Sequence, residues 1–380
     1  MYIRLKEKKG VKMTKYIDND NFEIRLEEIK KLNPLEKYLK SYFGYNLSEE
    51  QVKILNDNKI SLFRAFSRPF FVNNKTVKVV HFLKDEEKNI YRRQKLNSFL
   101  KQTFGKENVL SLNKLNFHKD VYNDVNFLKL IKEQQPLIIF SSFDKIAFDA
   151  LKAVDNNIIY DMYDYFSGED KELIDNSKLV FCSSKYQFNN IDSENKYYIP
   201  NGCTVKQYSP ADKYRTKTAV YCGRNINKID FNMFNLLKAL NPDWNIEVIG
   251  IPDELIRATK EENPDLIIKG WMNEEDLHKE LSTCHLGLIL IESSDMTKGQ
   301  LSDKFFNYSN AHIPTLINEE VATNYSEFGD FVSVLDFEKL ELDNYLKEIP
   351  SEKYENLMKE CEWNNRFSQI MQIVKEKGLI

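Results

Sequence analysis

The chain has 380 residues, 42% of them hydrophobic and 29% charged, with a formal net charge of −4. That length is too great for one ordinary core and suits two α/β domains. The near-balanced charge gives no electrostatic footprint for nucleic acid, which is therefore not an expected partner. Five cysteines without a CxxC pair (Cys182, Cys203, Cys222, Cys284 and Cys361) argue against a disulfide framework and a structural zinc site. No run of about 18 apolar residues is present to span a bilayer. The basic start MYIRLKEKKGVKMTKY lacks the apolar segment of a signal peptide, so a cytoplasmic location is expected.

Residues 1–70 read as a helical N-terminal extension. FEIRLEEIKKL and PLEKYLKSYFGY space Leu, Ile and Phe by threes and fours between charges, as an amphipathic helix requires. With the aromatic run FRAFSRPFF at 63–71, the same stretch is open to a second reading, peripheral contact with a membrane or a partner. Residues 71–210 have the texture of an α/β domain. VKVVHF (77–82), VLSL (109–112), PLIIF (136–140), NIIYD (157–161), LVFCS (179–183) and KYYIP (196–200) are short, almost wholly apolar runs with helix-competent polar stretches between most of them. Strands apolar on both faces are buried on both, which calls for a parallel sheet covered by helices.

SPADKYRTK (209–217), polar and containing Pro210, reads as the interdomain linker. A second series follows over 211–362: TAVYCG (218–223), NIEVIG (245–250), DLIIKG (265–270), LGLILI (286–291) and PTLIN (314–318). Three of these strands end in glycine, at Gly223, Gly250 and Gly270, which marks tight turns at the carboxyl edge of the sheet, where open α/β sheets bind ligands. Two such domains in tandem are expected to face each other across a cleft. Residues 363–380 form a last helix, with a course back to the N-terminal domain left open.

At Gly223 the strand runs into Arg224 and Asn225 and then a helix-like stretch. Free backbone N–H groups and a guanidinium suit a phosphate; a plain turn with a solvated arginine is the competing reading. Gly270, Trp271 and Met272 make an apolar loop that suits a nucleobase and, equally, interdomain packing. The segment LILIESSDMTKGQLSDKFFNYSNAHIPTLIN (288–318) joins an apolar strand to a loop with Ser293, Ser294, Thr297, Lys298 and Gly299. A helix then opens near Ser302 or Asp303, with Lys304 in its first turn. That arrangement suits a diphosphate, against ordinary N-capping. IIYDMYDYF (158–166) puts Asp161 and Asp164 just past a strand end, placed to deprotonate an acceptor hydroxyl or to cap a helix. The five histidines are scattered, without HExxH spacing, so no metal is expected; His81, at the end of the first strand, reads as structural. The absence of G-x-G-x-x-G, P-loop and G-x-S-x-G removes the simplest dehydrogenase, kinase and hydrolase readings.

Taken in order, residues 77–380 resemble GT-B glycosyltransferases of the large family-4-like group. SKLVFCSSKYQFNNIDSENKYYIPNGCTVKQYSP (177–210) is similar to that group's interdomain crossing. VYCGRN, EVIG, IKGWMNEEDL, LSDKFFNYSNAHIPTLIN and ECEWNNRF then follow its second domain and closing helix. The resemblance implies a GT-B fold of two Rossmann-like domains and a nucleotide-sugar donor, UDP-linked for preference, as co-substrate, with no resident cofactor. It implies that Gly223, Arg224, Asn225 and Gly250 line the donor pocket and that Gly270, Trp271 and Met272 hold the base. By the same token Ser302, Asp303 and Lys304 approach the diphosphate, with Tyr308 on the same helix. Two glutamates usual in the family are replaced here by Gly299 and Asn307. Lys304 without them looks more like bacterial glucuronosyltransferases and teichuronic-type enzymes of surface-polysaccharide assembly, and Arg92, Arg93 and Gln94 resemble a helix start of such transferases. This implies Lys304 as a catalytic group and an N-domain aspartate as base, Asp164 ahead of Asp161. It also implies a saccharide, lipid-linked or protein acceptor, met at the inner face of the membrane. The rival expectations are a catalytically decayed GT-B subunit serving a partner, and a nucleotide-sugar 2-epimerase.

Overall fold

The computed structural model describes residues 76–83, 92–113, 131–141, 148, 151, 157–163, 170–205, 217–223, 228–291 and 295–380. The expected helical extension at 1–70 and nearly all of the expected linker at 209–217 lie outside the described residues.

Strands β1 (Val79–Leu83), β2 (Val109–Asn113), β3 (Leu137–Phe140), β4 (Ile158–Met162), β5 (Leu179–Cys182) and β6 (Lys196–Tyr198) form a first sheet in the order β2-β1-β3-β4-β5-β6. β1 is parallel to both neighbours, with His81 opposite Ser111 on one side and Ile139 on the other. β1, β3, β4 and β5 are buried along their whole length, as their almost wholly apolar sequences require, with His81 in β1 and Asp161 in β4 as the polar exceptions. Helix α1 (Arg92–Phe104) buries Leu96 and Leu100. A polar cluster links it to the sheet: His81 Nε2 lies 2.8 Å from Ser141 Oγ and His81 Nδ1 lies 3.3 Å from Asn97 Oδ1, which also accepts from the Ser111 hydroxyl at 2.7 Å. His81 is 0% exposed, so these bonds replace the water its ring would otherwise have. Two short helices follow, α2 (Lys171–Asn176) and α3 (Lys185–Asn190). The chain divides into two compact units, one running to Ile159 and including Asn176–Lys178, the other made of Tyr160–Asp175 and Leu179–Ile380.

The second sheet contains β7 (Thr218–Cys222), β8 (Asn245–Ile251), β9 (Ile267–Gly270), β10 (Leu286–Ile289), β11 (Thr315–Ile317) and β12 (Val332–Val334), in the order β12-β11-β10-β7-β8-β9 with every pair parallel. All eleven strands expected from the sequence are present. β12 was not expected; it is a three-residue edge strand, buried at one end and exposed at the other, too short to show a period. The intervening helices are α4 (Phe231–Leu240), α5 (Ile256–Glu262), α6 (Glu274–Leu281), α7 (Asp295–Lys298) and α8 (Lys304–Asn310). Helices α9 (Ser351–Glu360) and α10 (Trp363–Glu376) close the chain. Polar caps start two of these helices: Asp230 accepts from the Met233 N–H before α4, and Asn273 from the Asp276 N–H before α6. α10 begins where Cys203 N–H donates to the Cys361 carbonyl at 2.8 Å and Trp363 N–H to the Cys203 carbonyl at 3.1 Å. No helix among the described residues is long and apolar enough to cross a membrane.

The chain enters the second sheet at β7, works outward through β8 and β9, then returns to β10 on the other side. The strand order therefore reverses at β7 and β10, and the carboxyl ends beside such a reversal are the usual ligand position in sheets of this kind. Direct register between these two strands is confined to Leu286 with Ala219 and Gly287 with Val220. Beyond it the Tyr308 hydroxyl stands in: it accepts from Cys222 N–H at 3.1 Å and donates to the Leu288 carbonyl at 3.0 Å. Tyr308 is 0% exposed, and its ring lies against Gly287, where any Cβ would collide with it. Tyr308→Phe removes both bonds from two buried backbone groups and is expected to cost about 1–3 kcal/mol, read as a lower denaturant midpoint at an unchanged slope.

Candidate functional site

The carboxyl end of β7 is built from small and aromatic residues. Gly223 follows the strand, its N–H donating to the Ile249 carbonyl of β8 at 2.9 Å. A Cβ on Gly223 would come within 2.7 Å of Lys304 Cε and 2.8 Å of the Tyr221 hydroxyl, so the lysine stem lies directly over the glycine. The Lys304 ammonium is 5.0 Å from the centre of the Tyr221 ring, a cation–π distance. Tyr221 is itself 1% exposed and packs against Phe234 of α4. Its hydroxyl is pushed well above the usual phenol range by burial. Burial also raises the Cys222 thiol, against the opposing pull of the Lys304 charge. A cation therefore lies over a glycine and an aromatic ring, beside a strand end where the strand order of the sheet reverses.

Gly250 departs from the expected picture of three strand-end glycines. It lies inside β8, where the register with β9 shifts between Ile249 and Ile251, and its φ is 102°. A Cβ there would sit 2.7 Å from the Gly223 carbonyl oxygen. The two glycines therefore let two backbones meet, and Gly250 shapes the floor under Gly223.

The structure thus brings Gly223, Gly250, Lys304 and Tyr308 into one neighbourhood. Tyr308 enters it through the strands, its hydroxyl engaged on both sides as a brace. Ser302 helps to start α8: its hydroxyl lies 3.4 Å from Lys304 N–H, and its own N–H donates to Tyr325 Oη at 3.1 Å. The Asp303 carboxylate faces elsewhere, within 3.4 Å of both the Tyr163 hydroxyl and Asn201 Nδ2. Helix α8 has only seven residues, so the site's positive character rests on the lysine more than on a helix terminus. Gly270, Trp271 and Met272 stand at the end of β9, the edge strand two positions from β7. Trp271 is 57% exposed, while Met272 packs against the core of the second sheet. Asp161, expected just past a strand end, instead lies inside β4 and is 1% exposed, because the strand runs on to Met162. Arg224, Asn225 and Asp164 lie outside the described residues. Among the described residues, no group of three or more His, Cys, Asp and Glu side chains is placed to hold a metal ion.

Sequence reasoning missed Tyr221, Ser184, Asn201, Asn324 and Tyr325 as contributors to this neighbourhood. The S-x-x-Q pattern of Ser184 and Gln187 was a readable signal, since it forms a capping box at α3. Asn324 had none; it lies in an irregular tight-helical stretch, Glu319–Phe328.

No protein-family model matches the chain, and no curated protein matches it. Solved structures do. HepE from Anabaena, in complex with UDP and glucose, superposes with a TM-score of 0.55 at 11% identity, covering 79% of this chain and 99% of that one. The same protein with UDP alone gives 0.53 at 12% identity, over 80% and 98%. A chain of the GtfA/B complex gives 0.48 at 13% identity, over 66% of this chain, which spans 60% of that one. The fold is GT-B: two parallel-sheet α/β domains of six strands each.

Gly250→Ala combines a strained positive φ with a clash against backbone, which cannot swing aside as a side chain can. It is expected to cost about 1–3 kcal/mol, measured by thermal unfolding of the two proteins side by side. Gly223→Ala meets the flexible end of Lys304 and the edge of the Tyr221 ring rather than backbone, with no strained positive φ, and should cost less stability than Gly250→Ala.

Proposed function

We infer that the chain is a glycosyltransferase that takes a sugar from a nucleotide-diphosphate donor, with UDP as the favoured nucleotide, and passes it to a saccharide, lipid-linked or protein acceptor. The observation that carries this reading is Lys304 at the carboxyl end of β7, its stem over Gly223 and its ammonium over the Tyr221 ring. When the glycosidic bond to the donor breaks, negative charge develops on the diphosphate. A cation fixed beforehand stabilises that charge without reorganising, and it counts for more in a partly desolvated crevice than in water. Gly223 contributes by absence, because a side chain there would push against the Lys304 stem and the Tyr221 ring that hold the charge in place. Supporting the choice of UDP, HepE was solved with UDP and with glucose. The resemblance of the second-domain motifs to family-4-like transferases supports a sugar donor. In this reading Arg224 and Asn225 add phosphate contacts, the Gly270–Met272 loop receives the base, and Asp164 or Asp161 takes the acceptor proton. The adjoining Asp303 carboxylate would repel a phosphate; it accepts instead from the Tyr163 hydroxyl and the Asn201 amide. Surface-glycan assembly on the cytoplasmic face of the membrane is the setting in which such an enzyme is proposed to work.

The test is calorimetric titration of the full chain with UDP, GDP and UDP-glucose. Wild-type protein is expected to bind UDP in preference to GDP, and Lys304→Ala to weaken UDP about ten- to a hundredfold, the worth of charge-assisted hydrogen bonds. Unfolding of Lys304→Ala without nucleotide should stay close to wild type. Absence of UDP binding in the wild type, or equal affinity in the variant, removes the reading and leaves a non-enzymatic subunit as the better account.

A further inference from the structure

The loop between α7 and α8 has little regular structure, yet its backbone is held residue by residue by side chains from elsewhere. The Lys298 carbonyl accepts from Asn324 Nδ2 at 2.7 Å, and the Gln300 carbonyl from the same nitrogen at 3.1 Å. Between them the Gly299 carbonyl accepts from Ser184 Oγ at 2.9 Å. The Leu301 carbonyl accepts from Asn201 Nδ2 at 3.0 Å, and the Ser302 N–H donates to Tyr325 Oη at 3.1 Å. Five successive residues are therefore shaped by four side chains, because buried backbone groups without a strand or helix partner must be satisfied some other way.

Asn324 is the hub. It is 0% exposed, and its Oδ1 accepts from Tyr186 N–H at 2.9 Å in the first turn of α3. One side chain thus ties α3 to two carbonyls of the loop. Ser184 works from the same place, donating to Gly299 while accepting from Gln187 N–H at 3.2 Å as the cap of α3. Two residues past the last of these bonds comes Lys304.

We propose that Asn324, supported by Ser184, is the positioning residue for Lys304: it fixes the loop so that α8 starts where the lysine stem crosses Gly223 and meets the Tyr221 ring. This rests on the reading of that neighbourhood as a donor-diphosphate site. Asn324 acts through the backbone and touches no reacting atom. Its effect should therefore fall on the phosphates of a nucleotide and spare the nucleoside, whereas a purely structural role would affect both alike.

The experiment compares the affinities of the full chain for UDP and for uridine. Asn324→Ala is expected to lower the UDP-to-uridine affinity ratio about tenfold, the scale of losing well-placed hydrogen bonds that orient a charge. Adding Asn324→Ala to Lys304→Ala should lower it no further, since effects that run through one group are not additive. Ser184→Ala should reduce the ratio and Ser184→Thr, which keeps the hydroxyl, recover it. A wild-type ratio in folded Asn324→Ala, or a full additional loss in the double variant, overturns the proposal. Should Asn324→Ala not fold, the Ser184 pair decides it, and a wild-type ratio in Ser184→Ala overturns it. A wild-type protein that does not prefer UDP to uridine overturns the donor-site reading itself, and does so before any variant is made.

Discussion

A single hydroxyl inserted between two parallel strands governs the second sheet. Where β7 and β10 stop pairing directly, Tyr308 supplies the acceptor one strand needs and the donor the other needs. The strands can then stop pairing directly without leaving buried polar groups unsatisfied, at the point where the strand order reverses. Lys304 and Tyr308 are four residues apart on α8, hence on the same side of it. Anchoring the tyrosine between the strands also sets the azimuth of the lysine, so one interaction serves both the integrity of the sheet and the placement of the charge.

The surroundings follow from that constraint. A lysine stem laid over the end of β7 requires a residue without a side chain at 223, and the close approach of β8 requires another at 250. Tyr221, firmly seated against Phe234, gives the ammonium an aromatic face. Asp303 precedes the lysine immediately, yet its carboxylate is drawn to Tyr163 and Asn201.

The sheets were legible in the sequence because burial on both faces favours short, mostly apolar runs, and eleven of the strands show such a run, even where a polar residue such as Glu247 or Asp161 interrupts it. β12 did not, since three residues with one end in solvent carry almost no pattern. The glycines at 223 and 250 were legible as special positions, but their reason was not. One leaves room for a lysine from 81 residues further along the chain, and the other forms a bulge inside a strand that looked complete. Asn324 was invisible for a related cause. Its importance lies in contacts with residues near 186 and 299, and an isolated asparagine in an irregular stretch looks like any loop residue. Tyr308 was read as a site residue from its place in a motif, while the structure shows it bracing the strands from within.

Free lysine side chains are among the most rotamerically disordered groups on a protein, and immobilising one costs up to about 2 kcal/mol of conformational entropy. Lys304 has its stem against a glycine and its ammonium over a ring, so much of that freedom is surrendered when the chain folds. In the proposed function, a donor's diphosphate would meet a cation already confined to one region. The loss is borne once, by the folded state, and is not repeated with each molecule that binds.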